Sequence, residues 1–168
     1  MIKFFLPPIL FLMVGIGFSQ SVDPDTSKSG NDSVLTGKVH RSDLQTGEFG
    51  QHFLLEYRSY NPDQHVIHQI DHKLFKRDIK IVLATWCHDS KMQVPRFFKI
   101  MDLLNYDTRT IEILAVDKQK KCGDIDISSM QIEKVPTFIF YSEDKETGRI
   151  VETPDHSLIK DIQHILND

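Results

Sequence analysis

The sequence predicts an α/β fold: a central mixed sheet flanked by helices, with an N-terminal helical extension. Three observations predict it. Ile81-Val82-Leu83-Ala84 runs without a polar break, as a strand covered on both faces requires. An amphipathic run follows, with Val94, Phe97, Phe98, Met101 and Leu104 at helical spacing, and then a β-branched segment at 110–116. Strand, helix, strand in this rhythm implies a right-handed parallel crossover. Last come two apolar strands about a charged turn, and a helix with one apolar face.

The chain has 168 residues and is 40% hydrophobic, which suits one domain plus a leader. Its 20 basic and 24 acidic residues are mixed, so nothing argues for a nucleic-acid partner. Residues 1–20 read as a secretory signal peptide. Lys3 gives the positive start, residues 4–18 are an apolar run too short for a comfortable membrane span, and Gly17 and Ser19 suit a cut after Ser19 or Gln20. Left uncleaved, the run would be a membrane anchor. No Cys lies near the cut, which excludes lipid attachment there. Residues 21–36 read as a flexible linker, because their polar first part buries too little apolar surface to offset ordering entropy. The domain is then 37–168, with its core at about 78–168.

A short strand is expected within 34–40. Phe49, Phe53, Leu54 and Tyr57 recur at helical spacing until Tyr60-Asn61-Pro62 breaks the pattern. A second helix is expected over 63–75, with Val66, Ile67, Ile70 and Leu74 as its apolar face. His65, His68 and His72 would share the opposite face. Their spacing would present imidazoles to one ion, but nothing in the helix completes a tetrahedral set, so no metal site is assigned. Thr85 and Trp86 end the next strand, and Asp89 and Ser90 suit the start of a helix over 90–104. After the strand at 110–116, a loop at 117–124 carries Cys122, and a short helix or turn is expected near 128–132. Strands at 138–141 and 149–151 flank a turn at 142–148. Asp155 or Ser157 caps the last helix, whose apolar face is Leu158, Ile159, Ile162, Ile165 and Leu166.

Cys87 lies where a strand meets a helix. Backbone N–H groups and the positive end of the helix dipole there favour a thiolate, and so a nucleophile. The turn Trp86-Cys87-His88-Asp89-Ser90 resembles the active-site Trp-Cys-x-x-Cys of the thioredoxin family, with Ser in place of the second Cys. Pro95, eight residues after Cys87, matches the family's helix-kinking Pro. Val135-Pro136-Thr137 resembles the family's Ile/Val-Pro-Thr, whose Pro is cis and faces the nucleophile. The match spans about 80–168 and implies a thioredoxin-like fold. More narrowly, the chain looks like the secreted thioredoxin-like proteins of bacteria, which implies export to the periplasm or beyond.

The resemblance implies thiol–disulfide exchange with Cys87 as nucleophile. Attack on a disulfide gives a mixed disulfide. Ser90 cannot resolve it, but would donate a hydrogen bond to the Cys87 thiolate. Cys87 and Ser90 are therefore the expected catalytic residues. An external thiol or Cys122 must clear the intermediate. Bridging needs Cα atoms within about 7 Å, and a resolving pair, a structural disulfide and two independent thiols all stay open. His88 would stabilise a thiolate and Asp89 oppose it. The family's buried Asp, six residues before the nucleophile, is Ile81 here, which puts proton transfer from a resolving thiol in doubt. Trp86, Val135, Pro136 and Thr137 are the expected substrate-binding residues, with Val135 backbone groups lying along an extended peptide. The expected partners are a disulfide-bearing protein or small thiol and an external reductant, with no cofactor. The alternative is a non-catalytic binding module that uses a Trp86/Pro136 groove.

Overall fold

The computed structural model describes Met1 and residues 34–70 and 72–167. The expected leader from residue 2, and the linker as far as residue 33, lie outside the described residues. Five strands form one sheet: β1 (Gly37–Val39), β2 (Asp78–Leu83), β3 (Glu112–Ala115), β4 (Thr137–Ser142) and β5 (Lys145–Val151). Their order is β1-β3-β2-β4-β5. β2 and β3 are parallel and every other neighbouring pair is antiparallel, so the sheet is mixed as expected. The helices are α1 (Gly47–Ser59), α2 (Gln64–Gln69), α3 (His88–Leu103) and α4 (Leu158–Asn167).

Side-chain alternation along β2 divides the interior in two. Ile79, Ile81 and Leu83 join the larger cluster, where all four helices place their buried side chains. Val82 and Ala84 join a smaller cluster with Leu114, Val116, Cys122, Ile127 and Val135. The connection from β3 to β4, with a 3-10 turn at Ser128–Met130, closes that second face. The central strand is thus covered on both sides. Phe97 of α3 stacks on Phe138 of β4 with ring centroids 4.6 Å apart, a contact worth about 0.5–1.5 kcal/mol beyond its buried area.

α1 carries the expected Phe49 and Phe53 into the core, but Leu54 faces solvent. Arg41 ties this extension to α3. Its guanidinium donates to both Asp102 oxygens at 2.8 and 2.6 Å and lies 4.7 Å from the centre of the Phe98 ring. Tyr57 donates to the same carboxylate at 2.6 Å. Burial raises the Asp102 pKa, but the hydrogen bonds from Arg41 and Tyr57 together outweigh it and hold the pKa below its ordinary value.

Three expectations are corrected. The helix expected over 63–75 is broken. Asp63 caps α2 by accepting from the His65 and Val66 N–H groups, but Ile70 turns extended, and the chain resumes as a 3-10 turn at His72–Lys76 that buries Leu74. The break separates the three histidines: His65 pairs with Gln69 at 2.8 Å, while His72 leans on Phe75. β5 begins at Lys145 rather than 149, so the turn is only Glu143-Asp144. Both residues have positive φ, 49° and 63°, as a tight hairpin twisted like its strands requires. α3 begins at His88, two residues early, with Cys87 itself in the capping place. It ends as Asn105 adopts φ 58° and the Tyr106 and Asn105 N–H groups bond back to Met101 and Asp102. At α4, Ser157 takes the cap: its hydroxyl accepts the Lys160 N–H at 3.4 Å. Gly148 of β5 is needed for close approach, since a Cβ there would sit 2.9 Å from Ile165 Cγ1.

Candidate active site

Parallel pairing of β2 with β3 brings their C-terminal ends to one edge of the sheet, and β4 starts at that edge. Ala84 follows β2 directly. A turn bonds the Cys87 N–H to the Ala84 carbonyl at 3.1 Å, and the Cys87 carbonyl accepts the Lys91 N–H of α3 at 3.1 Å. Cys87 is therefore the hinge between strand and helix. Its backbone is extended (φ −84°, ψ 130°), and its side chain is half-buried. This early helix start is set by the backbone turn, which overrides the stronger capping preference of Asp89 and Ser90.

Across from it stands Val135-Pro136-Thr137. The Val135–Pro136 peptide is cis. The Cys87 thiol donates to the Val135 carbonyl at 3.2 Å, so Cys87 and this segment meet directly. Thr137 Oγ1 donates to the Lys134 carbonyl at 2.7 Å, and the Glu152 N–H donates to the Pro136 carbonyl at 2.7 Å. These bonds fix the segment from both sides. Val135, Pro136 and Thr137 are buried, so what they offer an incoming molecule is backbone more than side chain.

Ser90 is fully buried in the first turn of α3. Its hydroxyl oxygen accepts the Ala84 N–H at 3.2 Å. Among the described residues no hydrogen bond joins Ser90 to Cys87. The expected donor to the thiolate is instead a brace beneath the turn, because a buried backbone donor at the end of β2 needs an acceptor more than the half-exposed sulfur does.

Cys122 is buried, and desolvation pushes its thiol pKa up, partly offset by a backbone hydrogen bond from Gly37. Cys87 packs against the same apolar cluster that holds Cys122, yet both cysteines are free. Ile81 is fully buried among apolar neighbours. His88 and Asp89 lie in the first turn of α3 and not in the loop before it; His88 is exposed and Asp89 half-buried. Lys134 pairs with Glu152, which raises its pKa, and Asp89 adds a smaller pull in the same direction.

Trp86 is more than one-third exposed. It lines a cleft of about 210 Å³ with Leu35, Phe49, Thr85 and Lys91. That cleft opens on the β1 side of Cys87, where the Leu35 N–H reaches Thr85 Oγ1 at 3.3 Å, whereas Val135-Pro136-Thr137 lies on the β4 side. Leu35, Phe49 and Lys91 were not readable as site residues. Only the helical spacing of Phe49 hinted at burial, and Lys91 is held there by its ion pair with Glu48.

The thioredoxin family's sequence profile matches residues 66–164, more than half of the chain. The chain belongs to the thioredoxin family. A search of curated proteins gives no match. Among solved structures, the chain is similar to a protein of unknown function from Pseudomonas aeruginosa. That match has 14% identity and a TM-score of 0.55, and covers 79% of this chain and 93% of the other. It is also similar to mitochondrial thioredoxin 3 from Saccharomyces cerevisiae, with 18% identity over 67% of this chain and 98% of that one, TM-score 0.39. A Schistosoma mansoni thioredoxin preprotein gives 23% identity over 62% and 86%, TM-score 0.38. At such identities the likeness is one of fold.

Proposed function

We propose that this protein performs monothiol thiol–disulfide exchange at Cys87. Membership of the thioredoxin family supports redox chemistry at this turn. The observation that carries the reading is the contact of the Cys87 thiol with the Val135 carbonyl beside the cis Pro136, at a half-exposed helix start. The Cys87 thiolate attacks one sulfur of a disulfide R–S–S–R′, forms Cys87–S–S–R and expels R′S⁻. The Val135 carbonyl, released by the sulfur, then faces the bound segment and can accept from its backbone. An external thiolate attacks the sulfur carried by R and returns Cys87 as thiolate. Ser90 contributes no electrons and holds the turn in place. Cys122 stays out of the cycle, since burial keeps it a thiol and away from solvent.

The substrate class is a protein or small-thiol disulfide, and the same reading places the work outside the cytoplasm of a bacterium, after removal of residues 1–20. The test is to mix reduced full chain with glutathione disulfide and map the adduct by peptide mass spectrometry. An adduct on the Cys87 peptide that dithiothreitol releases supports the reading. An adduct confined to Cys122, or none, sinks it. A second reading, a binding module, is favoured by Ser90 and Ile81 standing where the two-Cys family has its resolving Cys and buried Asp. Its mark would be a partner that stays bound in reductant.

A further inference from the structure

We propose that His156, Asp161 and His164 form a binding site for a divalent transition-metal ion such as Zn²⁺. His156 lies in the loop before α4, and Asp161 and His164 lie one turn apart on α4. One ligand atom from each of the three lies within 4.8 Å of the other two. Among the described residues this is the group of His, Cys, Asp and Glu side chains gathered closely enough to hold an ion. Two imidazoles and a carboxylate are the nitrogen and oxygen donors that zinc, copper and nickel accept.

The carboxylate is the fixed member. Asp161 accepts the Asp155 N–H at 2.7 Å and the His156 N–H at 3.3 Å, and its side chain is only 12% exposed. These bonds hold the loop against the helix and bring His156 Nδ1 to 3.3 Å from Asp161 Oδ1. The His164 ring meets the His156 ring edge-on, with centroids 5.3 Å apart. In a tetrahedral site with metal–ligand bonds of about 2.0–2.2 Å, ligand atoms stand about 3.3 Å apart. The gathered atoms therefore need a contraction on the order of 1 Å, which rotation of the two exposed imidazoles supplies. The residues line an open cleft of about 310 Å³ with Asp155 and Thr153, which leaves room for water or Asp155 in the remaining coordination position.

The surrounding charges permit a cation. Arg149 lines the same cleft, but its guanidinium is engaged by Glu146 and by the Met130 carbonyl. The positive end of α4 opposes a cation, and the Asp161 carboxylate offsets it. The site also stands on the same sheet edge as Cys87: β5 ends at Val151, opposite Thr137, and the Glu152 N–H bonds to Pro136.

The test is calorimetric titration of the full chain with zinc chloride near neutral pH, beside the His156→Gln/His164→Gln variant and a His65→Gln/His68→Gln control. One ion should bind at micromolar concentration. The first variant should weaken it by at least the roughly 10–100-fold that loss of an outer-shell partner costs, and the control should not. Both variants change exposed side chains, and unchanged thermal unfolding without zinc verifies that they fold. In NMR spectra, zinc should shift the ring signals of His156 and His164. No heat at micromolar zinc, heat unchanged in the first variant, or shifts confined to other histidines would overturn the site. Zinc held only by Cys87 would survive in the first variant and counts against the proposal.

Discussion

Ser90→Ala separates two roles for the residue that stands where a second cysteine would be. Ser90 Oγ accepts the Ala84 N–H at 3.2 Å, and both residues are fully buried. Truncation leaves that donor inside the protein without its acceptor. Such a loss costs about 1–3 kcal/mol. For a domain of this size it lowers Tm by about 3–15 °C. No hydrogen bond runs from Ser90 to Cys87, so the rate at which Cys87 exchanges with a small disulfide, measured well below the new Tm, should change little. Calorimetric unfolding and a glutathione-disulfide exchange assay on the same preparation read both quantities. An unchanged Tm with a collapsed exchange rate would instead show Ser90 acting on the sulfur and not on the turn.

Three further outcomes are expected. Cys122→Ser should retain exchange while losing about 1–3 kcal/mol in denaturant unfolding, since it sets a hydroxyl in an apolar cluster. Glu143→Asn with Asp144→Gly should raise stability by about 1 kcal/mol, because both residues of the turn hold positive φ and only their side chains change. Asp102 has a lowered pKa in the folded chain, so its stabilising effect is complete above its unfolded value of 3.8 and is lost as pH falls through the lower folded value. The stability gap between wild type and Asp102→Asn, followed by urea unfolding, should therefore be constant above about pH 5 and narrow below pH 4. A gap independent of pH would mean that the carboxylate does not carry the Arg41 and Tyr57 contacts.

The sheet and the Cys87 turn were legible because they are written locally: an unbroken apolar run, then Trp-Cys, then helical spacing. Burial of Leu158, Ile159, Ile162, Ile165 and Leu166 follows directly from their period. The start of α3 was not legible, since a backbone bond from Cys87 to Ala84 decides it and no side-chain preference reports that bond. The expected helix over 63–75 is interrupted where Ile70 turns extended, and Leu74 is buried from the 3-10 turn that follows; apolar spacing alone does not report that break. β5 was read short because Glu146 and Thr147 look like turn residues on an edge strand with one wet face. The Arg41–Asp102–Tyr57 tie and the cluster of His156, Asp161 and His164 join residues whose spacing carries no local pattern. Ser90 was expected to donate to Cys87, but its hydroxyl oxygen accepts the Ala84 N–H, a bond that no residue pattern reports.

The proposed exchange rests on one sulfur, that of Cys87. The measurement that tests it most directly is turnover: reduction of a protein disulfide by excess external thiol, catalysed by the wild-type chain, by Cys87→Ala and by Cys122→Ser. Acceleration is expected from the wild type and from Cys122→Ser, and none from Cys87→Ala with its thermal unfolding intact. Full acceleration by a folded Cys87→Ala variant would contradict it.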